Sequence, residues 1–214
     1  MAQNFASVMS YPPVYVRLSE TLRITVLAFF SAIIIGSGIG LIIGGIGVLK
    51  SALEPYVVLA NSIPRAIFVP LFWAYFGVGD NYRFFFALVS STIPVIINVM
   101  YALRSVDPQL IRVASAFGAS VRQTYSKLIV PTIIPAILGA ARLSFNLAFG
   151  GVIIAEEFQG SFGVGDLAVN YANGFQSSDT ISLYSLVVAI ALIAVSVNVA
   201  LLLLEKWYLR WNRP

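Results

Sequence analysis

RSVDPQLIRVASAFGASVRQTYSKLIVP, residues 104–131, is the one long polar segment set between strongly apolar ones. It carries Arg104, Arg112, Arg122 and Lys127 against a single acid, Asp107. An uncharged run, residues 84–103, precedes it and another apolar region follows. Such a segment is predicted to be a cytoplasmic loop with helical structure of its own, on the membrane face where basic residues are retained. Asp107-Pro108 is a helix start: the carboxylate accepts free backbone N–H groups, and the proline ring presets φ for the first helical position. Phe117, Val121, Tyr125 and Leu128 recur at spacings of four, four and three, which makes one apolar stripe, with Arg112, Ser115, Arg122 and Ser126 largely off it. Gly118 sits where a first short helix ends and a second begins, since glycine tolerates positive φ. Two short helices are predicted, one face against the protein and the other offered outward. Periodicity alone leaves open a solvated basic loop or a surface built to meet a cytoplasmic partner.

Outward from this loop the composition defines the class. Of 214 residues, 59% are hydrophobic and 10% charged, and the mean hydropathy is +0.89. These values belong to a polytopic membrane protein, and the net charge of +4 fits basic residues held at a membrane face rather than nucleic-acid binding. A span needs about 20 apolar residues. Five runs qualify, at about residues 24–49, 55–79, 84–103, 130–155 and 180–204, joined by the polar loop 104–129 into a single transmembrane domain over residues 1–214. The fold class is an all-α membrane protein. Residues 1–20, with Tyr11-Pro12-Pro13, lack the charged start and compact apolar core of a secretory signal and are read as an interfacial segment. In the first run Gly36, Gly40 and Gly44 recur every fourth residue, which bares one helix face for close packing. The second run is the weakest, interrupted by Pro64, Arg65 and Pro70, with Arg65 expected to snorkel from its cytoplasmic end.

Orientation follows from the basic residues. With the 104–131 loop inside, Lys50, Arg65, Lys206, Arg210 and Arg213 fall on the same side. Only Arg17, Arg23 and Arg83 go outside, together with the acids Glu20, Asp80, Glu156, Glu157, Asp166 and Asp179. Outside, residues 156–179 read as a compact connector: Gly160 to Gly165 break the chain and a short helix follows from Asp166 to Ala172, with Asp166 as a possible cap.

No catalytic constellation is present. The chain has no His and no Cys, which removes the commonest metal ligands, the usual general base and any disulfide, and it has no GxxxxGK[ST] loop. Glu156 and Glu157 are helix neighbours pointing about 100° apart and do not share a proton. No metal site and no bound cofactor are expected, and any ATP, with its Mg, belongs on another chain. Polar groups inside the runs mark a candidate solute path: Asn61, Ser62, Asn98, Arg142 and Asn146. Arg142 and Asn146 lie four apart on one face; an anion would be drawn to Arg142, although pairing with an acid or backbone near the cytoplasmic end is the stronger reading. Asn98 and Asn198 are read as hydrogen-bonding glue between helices.

Val113-Ala114, then Gly118, then Leu128-Ile129-Val130-Pro131 resembles the Glu-Ala-Ala loop of permease subunits of ATP-binding-cassette importers, with its spacing kept. Arg112 stands where that pattern has Glu, and Val113 where it has the first Ala. Ile63-Pro64-Arg65-Ala66, Phe76-Gly77-Val78-Gly79, Arg104-Ser105-Val106-Asp107-Pro108 and Ala155-Glu156-Glu157-Phe158 are similar to the nitrate, sulfonate and taurine branch. The resemblance implies a type I importer permease fold in a prokaryotic inner (plasma) membrane. It implies a coupling helix that docks on a cytoplasmic ATPase, for which Arg112, Ala114, Gly118, Ala119, Ser120, Arg122 and Tyr125 are the residues here. It also implies a second permease subunit, as homodimer or heterodimer, an extracytoplasmic substrate-binding protein, and a solute such as nitrate, a sulfonate, taurine, bicarbonate, riboflavin or a thiamine-precursor pyrimidine. The branch usually has one more N-terminal span, so five spans put this N-terminus outside. The competing class, an ATP-independent carrier or channel, is expected to carry mid-span acids. No Asp or Glu falls inside the five runs.

Overall fold

Proline and glycine punctuate an otherwise continuous run of helix. The computed structural model describes residues 12–159, 163–174 and 177–211, and these hold no strand. Helix α1 is Pro12–Gly45. It opens on two prolines, whose missing N–H groups cost nothing in a first turn. The stretch read as interfacial is therefore helix from Pro12 onward; residues 1–11 lie outside the described residues. Ile46 is extended, with φ −111° and ψ 109°, and separates α1 from α2 (Gly47–Ser62).

Pro64 makes the next break. Its ring excludes the helical region from the residue before it, and Ile63 accordingly sits at φ −74° and ψ 130°. A 3-10 turn, Arg65–Phe68, leads into α3 (Val69–Phe76), which stops at Gly77 with φ +69°. The predicted span 55–79 is thus a broken pair, and the predicted span 24–49 ends early at Gly45. Helix α4 is Asp80–Ala102, with Pro94 inside it. After the polar loop, α7 (Val130–Gln159) follows, then α8 (Val164–Ala172) and α9 (Ser177–Trp211). Gly160, Ser161 and Phe162 lie outside the described residues, as do Phe175, Gln176 and 212–214. Four helical stretches are long and apolar enough to cross a membrane, five if the broken pair counts as one. The last, Thr180–Arg210, has only 11% of its most apolar window buried, which suits a helix facing lipid.

The chain resolves into two compact units: Met1–Ser31, Pro64–Ser91 and Phe145–Ala200 in one, Ala32–Ile63, Thr92–Ser144 and Leu201–Pro214 in the other. In the first, Val69, Tyr82, Phe86 and Ala155 form one buried cluster, and Val14, Val164, Leu167 and Leu186 another. In the second, Val95, Val99, Ala102, Val106, Ile129 and Ile133 form the core. There the glycine face of α1 lies on α4. A Cβ added to Gly36 would fall 2.7 Å from the Val95 Cβ, and one on Gly40 2.9 Å from the Val99 Cβ and from the Ile96 carbonyl oxygen.

Overpacking a contact this close costs about 1–3 kcal/mol. Gly40→Val is therefore expected to lower the thermal unfolding midpoint in detergent. Gly38→Ala, with nothing within 4 Å of its added Cβ, is expected not to.

Candidate functional site

The loop between α4 and α7 is built by local rules. After a 3-10 turn, Leu103–Ser105, the Asp107 carboxylate accepts from the Gln109 N–H at 2.8 Å and caps α5 (Pro108–Ala116), with Pro108 in its first turn. Phe117 closes α5 and Gly118 follows at φ +76°. The Gly118 N–H donates to Ser115 O and the Ala119 N–H to Ala114 O, a Schellman stop that needs glycine at the left-handed residue. Ser120 then caps α6 (Val121–Thr124) in a reciprocal box: its hydroxyl accepts from the Gln123 N–H, and its own N–H donates to the Gln123 side chain at 2.8 Å. A π turn, Tyr125–Ile129, joins α6 directly to α7.

This geometry corrects the predicted stripe. The split falls between Val121 and Tyr125, where α6 gives way to the π turn and its extra residue shifts the register. Phe117 and Val121 point outward, 88% and 76% exposed, while Tyr125 and Leu128 are half-buried. Leu110, Val113, Ala114, Phe117, Gly118 and Ala119 edge a concavity of about 500 Å³. Gln123, Thr124, Lys127 and Leu128 complete its lining, so apolar side chains share it with polar ones and a cation. Arg112, Ser120 and Arg122 are exposed. Tyr125 is the member of the predicted docking set that turns inward, onto the Val95–Val99–Ile129 core.

Four of the predicted path residues, Ser62, Asn98, Arg142 and Asn146, each bond to a group outside that set. Arg142 pairs with Glu205 at 2.9 Å, the acid partner foreseen as the stronger reading. Asn146 and Asn198 exchange reciprocal amide bonds at 3.3 and 2.6 Å, so Asn198 is the interhelical glue expected of it. Asn98 is not: its amide donates back to Pro94 O of its own helix at 2.8 Å. Ser62 likewise donates to Val58 O, and Asn61 is exposed beside it at the end of α2.

A second polar centre forms around Glu156, which stood in the sequence as an outside acid and part of the Ala155–Phe158 motif, with no sign of its partners. Helix α7 runs four residues past the predicted span end, and Glu156 is fully buried within it, 0% exposed. Its carboxylate accepts from the Arg83 guanidinium at 3.1 Å, the Thr21 hydroxyl at 2.8 Å and the Gly165 N–H at 3.1 Å. Gly163 and Gly165 let the backbone close over it: a Cβ on Gly163 would lie 1.9 Å from the carboxyl carbon. Arg83 also pairs with Asp80, Asp80 with Arg23, and Arg17 with Asp166. Each arginine predicted outside therefore has an acid partner. Gly163, not Asp166, is the N-cap of α8, and Asp166 is engaged by Arg17 and Asn170. An acid does lie inside a long apolar helix, against the expectation from the span limits, but in the described structure it is held by three groups of the protein.

Comparison with known proteins resolves what this architecture is. The family described as binding-protein-dependent transport system inner membrane component matches residues 32–213. The chain belongs to that family. This inner membrane component is a multi-pass membrane protein with the type I importer permease fold. It is 29% identical over 195 residues to an aliphatic sulfonates transport permease protein of Bacillus subtilis, covering 89% of this chain and 70% of that one. It is 30% identical over 164 residues to the riboflavin transport system permease protein of Chloroflexus aurantiacus, covering 77% and 60%. The chain spans 60–70% of the length of these curated relatives. In structure it matches the MetNI methionine ABC transporter in inward-facing conformations, with TM-score 0.79 over 91% of this chain and 95% of that one, at 20% identity.

Removing one partner of a buried ion pair costs about 3–5 kcal/mol. Glu156→Leu is expected to lower stability in detergent by that order. Glu156→Gln, which still accepts from Thr21 and Gly165, is expected to lose less.

Proposed function

We propose that this chain is the permease subunit of an ATP-driven importer, forming half of a solute path and coupled through residues 104–131 to a separate cytoplasmic ATPase. The observation that carries this reading is the outward apolar face of Phe117 and Val121 on a basic loop whose two caps hold it in one shape. Large exposed apolar side chains rimmed by polar groups mark a protein contact. ATP and Mg are bound by the ATPase. Its closure draws two docked loops together and shifts the paired permeases between inward-open and outward-open states. A second permease subunit completes the path, and an extracytoplasmic binding protein delivers the solute. The relatives named for sulfonates and riboflavin support a small organic anion or a vitamin-type solute.

The test is purification of the tagged chain from native membranes in mild detergent, with mass spectrometry of what accompanies it. An ATPase is expected to co-purify with wild type. Phe117→Asp, a change at an exposed position, is expected to lose the ATPase while the chain still folds. A lone chain that moves solute without ATPase would return the carrier reading to first place.

A further inference from the structure

Where α1 gives way to α2 the chain presents Gly44, Gly45, Ile46 and Gly47 in succession. The first two glycines serve different neighbours. A Cβ on Gly44 would meet Leu103 Cδ1 at 2.6 Å, so this residue belongs to the packing of α1 on α4. A Cβ on Gly45 would lie 2.0 Å from the Tyr125 hydroxyl oxygen and 3.2 Å from the ring carbon that bears it. The tyrosine thus rests its tip on bare backbone at the last residue of α1.

Both sides of this contact are unusual. Tyr125 opens the π turn Tyr125–Ile129, which follows α6 directly and starts four residues after the outward Val121. Such turns seat an extra residue and concentrate at functional places. The Tyr125 ring packs on the core cluster, so it is held in place while its hydroxyl reaches across. On the other side, Ile46 is extended between two helices and Gly47 has nothing within 4 Å of its Cβ position. That is a joint where a few backbone dihedrals can absorb a change of direction.

We propose that Tyr125 is a positioning residue, and that its hydroxyl, seated on Gly45, passes displacement of the docking loop to the joint between α1 and α2 and so sets the attitude of α2. This rests on the permease reading above. It removes Tyr125 from the ATPase-contacting set and gives it a role inside the chain. The mechanism depends on a fit between two residues rather than on either alone. Gly45→Ala pushes the ring off its seat, at modest cost because the struck atom is the far end of a side chain. Tyr125→Phe leaves a gap. In the double variant the new methyl takes the place of the lost hydroxyl and contact with the ring is restored.

The chain has no cysteine, so labels can be placed freely. Spin labels at Ile34→Cys in α1 and Leu59→Cys in α2, both exposed, report the distance between the helices in complex with the co-purified ATPase, with and without ATP and vanadate. Wild type is expected to show a nucleotide-dependent shift. Gly45→Ala and Tyr125→Phe are each expected to lose it while still binding the ATPase, and the double variant to regain it. A full shift in Tyr125→Phe, or a double variant no better than Gly45→Ala, overturns the proposal and leaves the permease reading standing. A wild-type chain that retains no ATPase overturns both.

Discussion

A carboxyl group with no exposed atom is costly to bury unless its oxygens are met by donors, and Glu156 is the group on which one compact unit depends in this way. Arg83 from α4, Thr21 from α1 and the Gly165 N–H of α8 converge on it from α7. Four helices are thereby tied at one point, with a directionality that apolar packing does not supply. Buried pairs of this kind contribute more to choosing one arrangement than to total stability, because desolvation of both partners offsets much of their attraction. The glycines at 163 and 165 are part of the same device: without them the backbone could not approach the carboxyl group.

Much of the 104–131 loop was legible because its rules are local. Asp107-Pro108 and Gly118 each act within a few residues, and each took the role that its chemistry dictates; the Ser120–Gln123 box is equally local but was not read from the sequence. The glycine face of α1 was legible for the same reason, since a four-residue repeat is a surface before any partner is known. The apolar stripe misled because one helical period was carried through the π turn that opens at Tyr125, where an extra residue shifts the register. Phe117 and Val121, ahead of that turn, are outward, and Tyr125 and Leu128, within it, are half-buried.

What could not be read depended on residues far apart in the chain. Glu156 looked like one of several outside acids until Thr21 and Arg83, 135 and 73 positions away, were brought to it. Arg142 offered either a solute contact or an ion pair, and the choice lay with Glu205 at the other end of the sequence. Helix limits moved for a related reason. Hydropathy falls where charges begin, but helix continues as long as those charges find partners, as Arg17, Arg23 and Glu156 do.

The amide pair of Asn146 and Asn198 has a consequence of another kind. Helix α9 presents a largely smooth apolar surface, and in hydrocarbon such a helix has little to stop it from rolling about its own axis. Two amides that each donate to the other act as a key in a keyway, fixing the angle of α9 against α7 as well as their separation. An apolar replacement at Asn198 strands the Asn146 amide donor. One at Asn146 leaves the Asn198 amide only its bond to Ala194 O of its own helix, so in either case the tie between the helices is lost. Through descent the two sites should therefore be exchanged as a couple, and a lineage that lost both would need some new feature to keep this helix from turning.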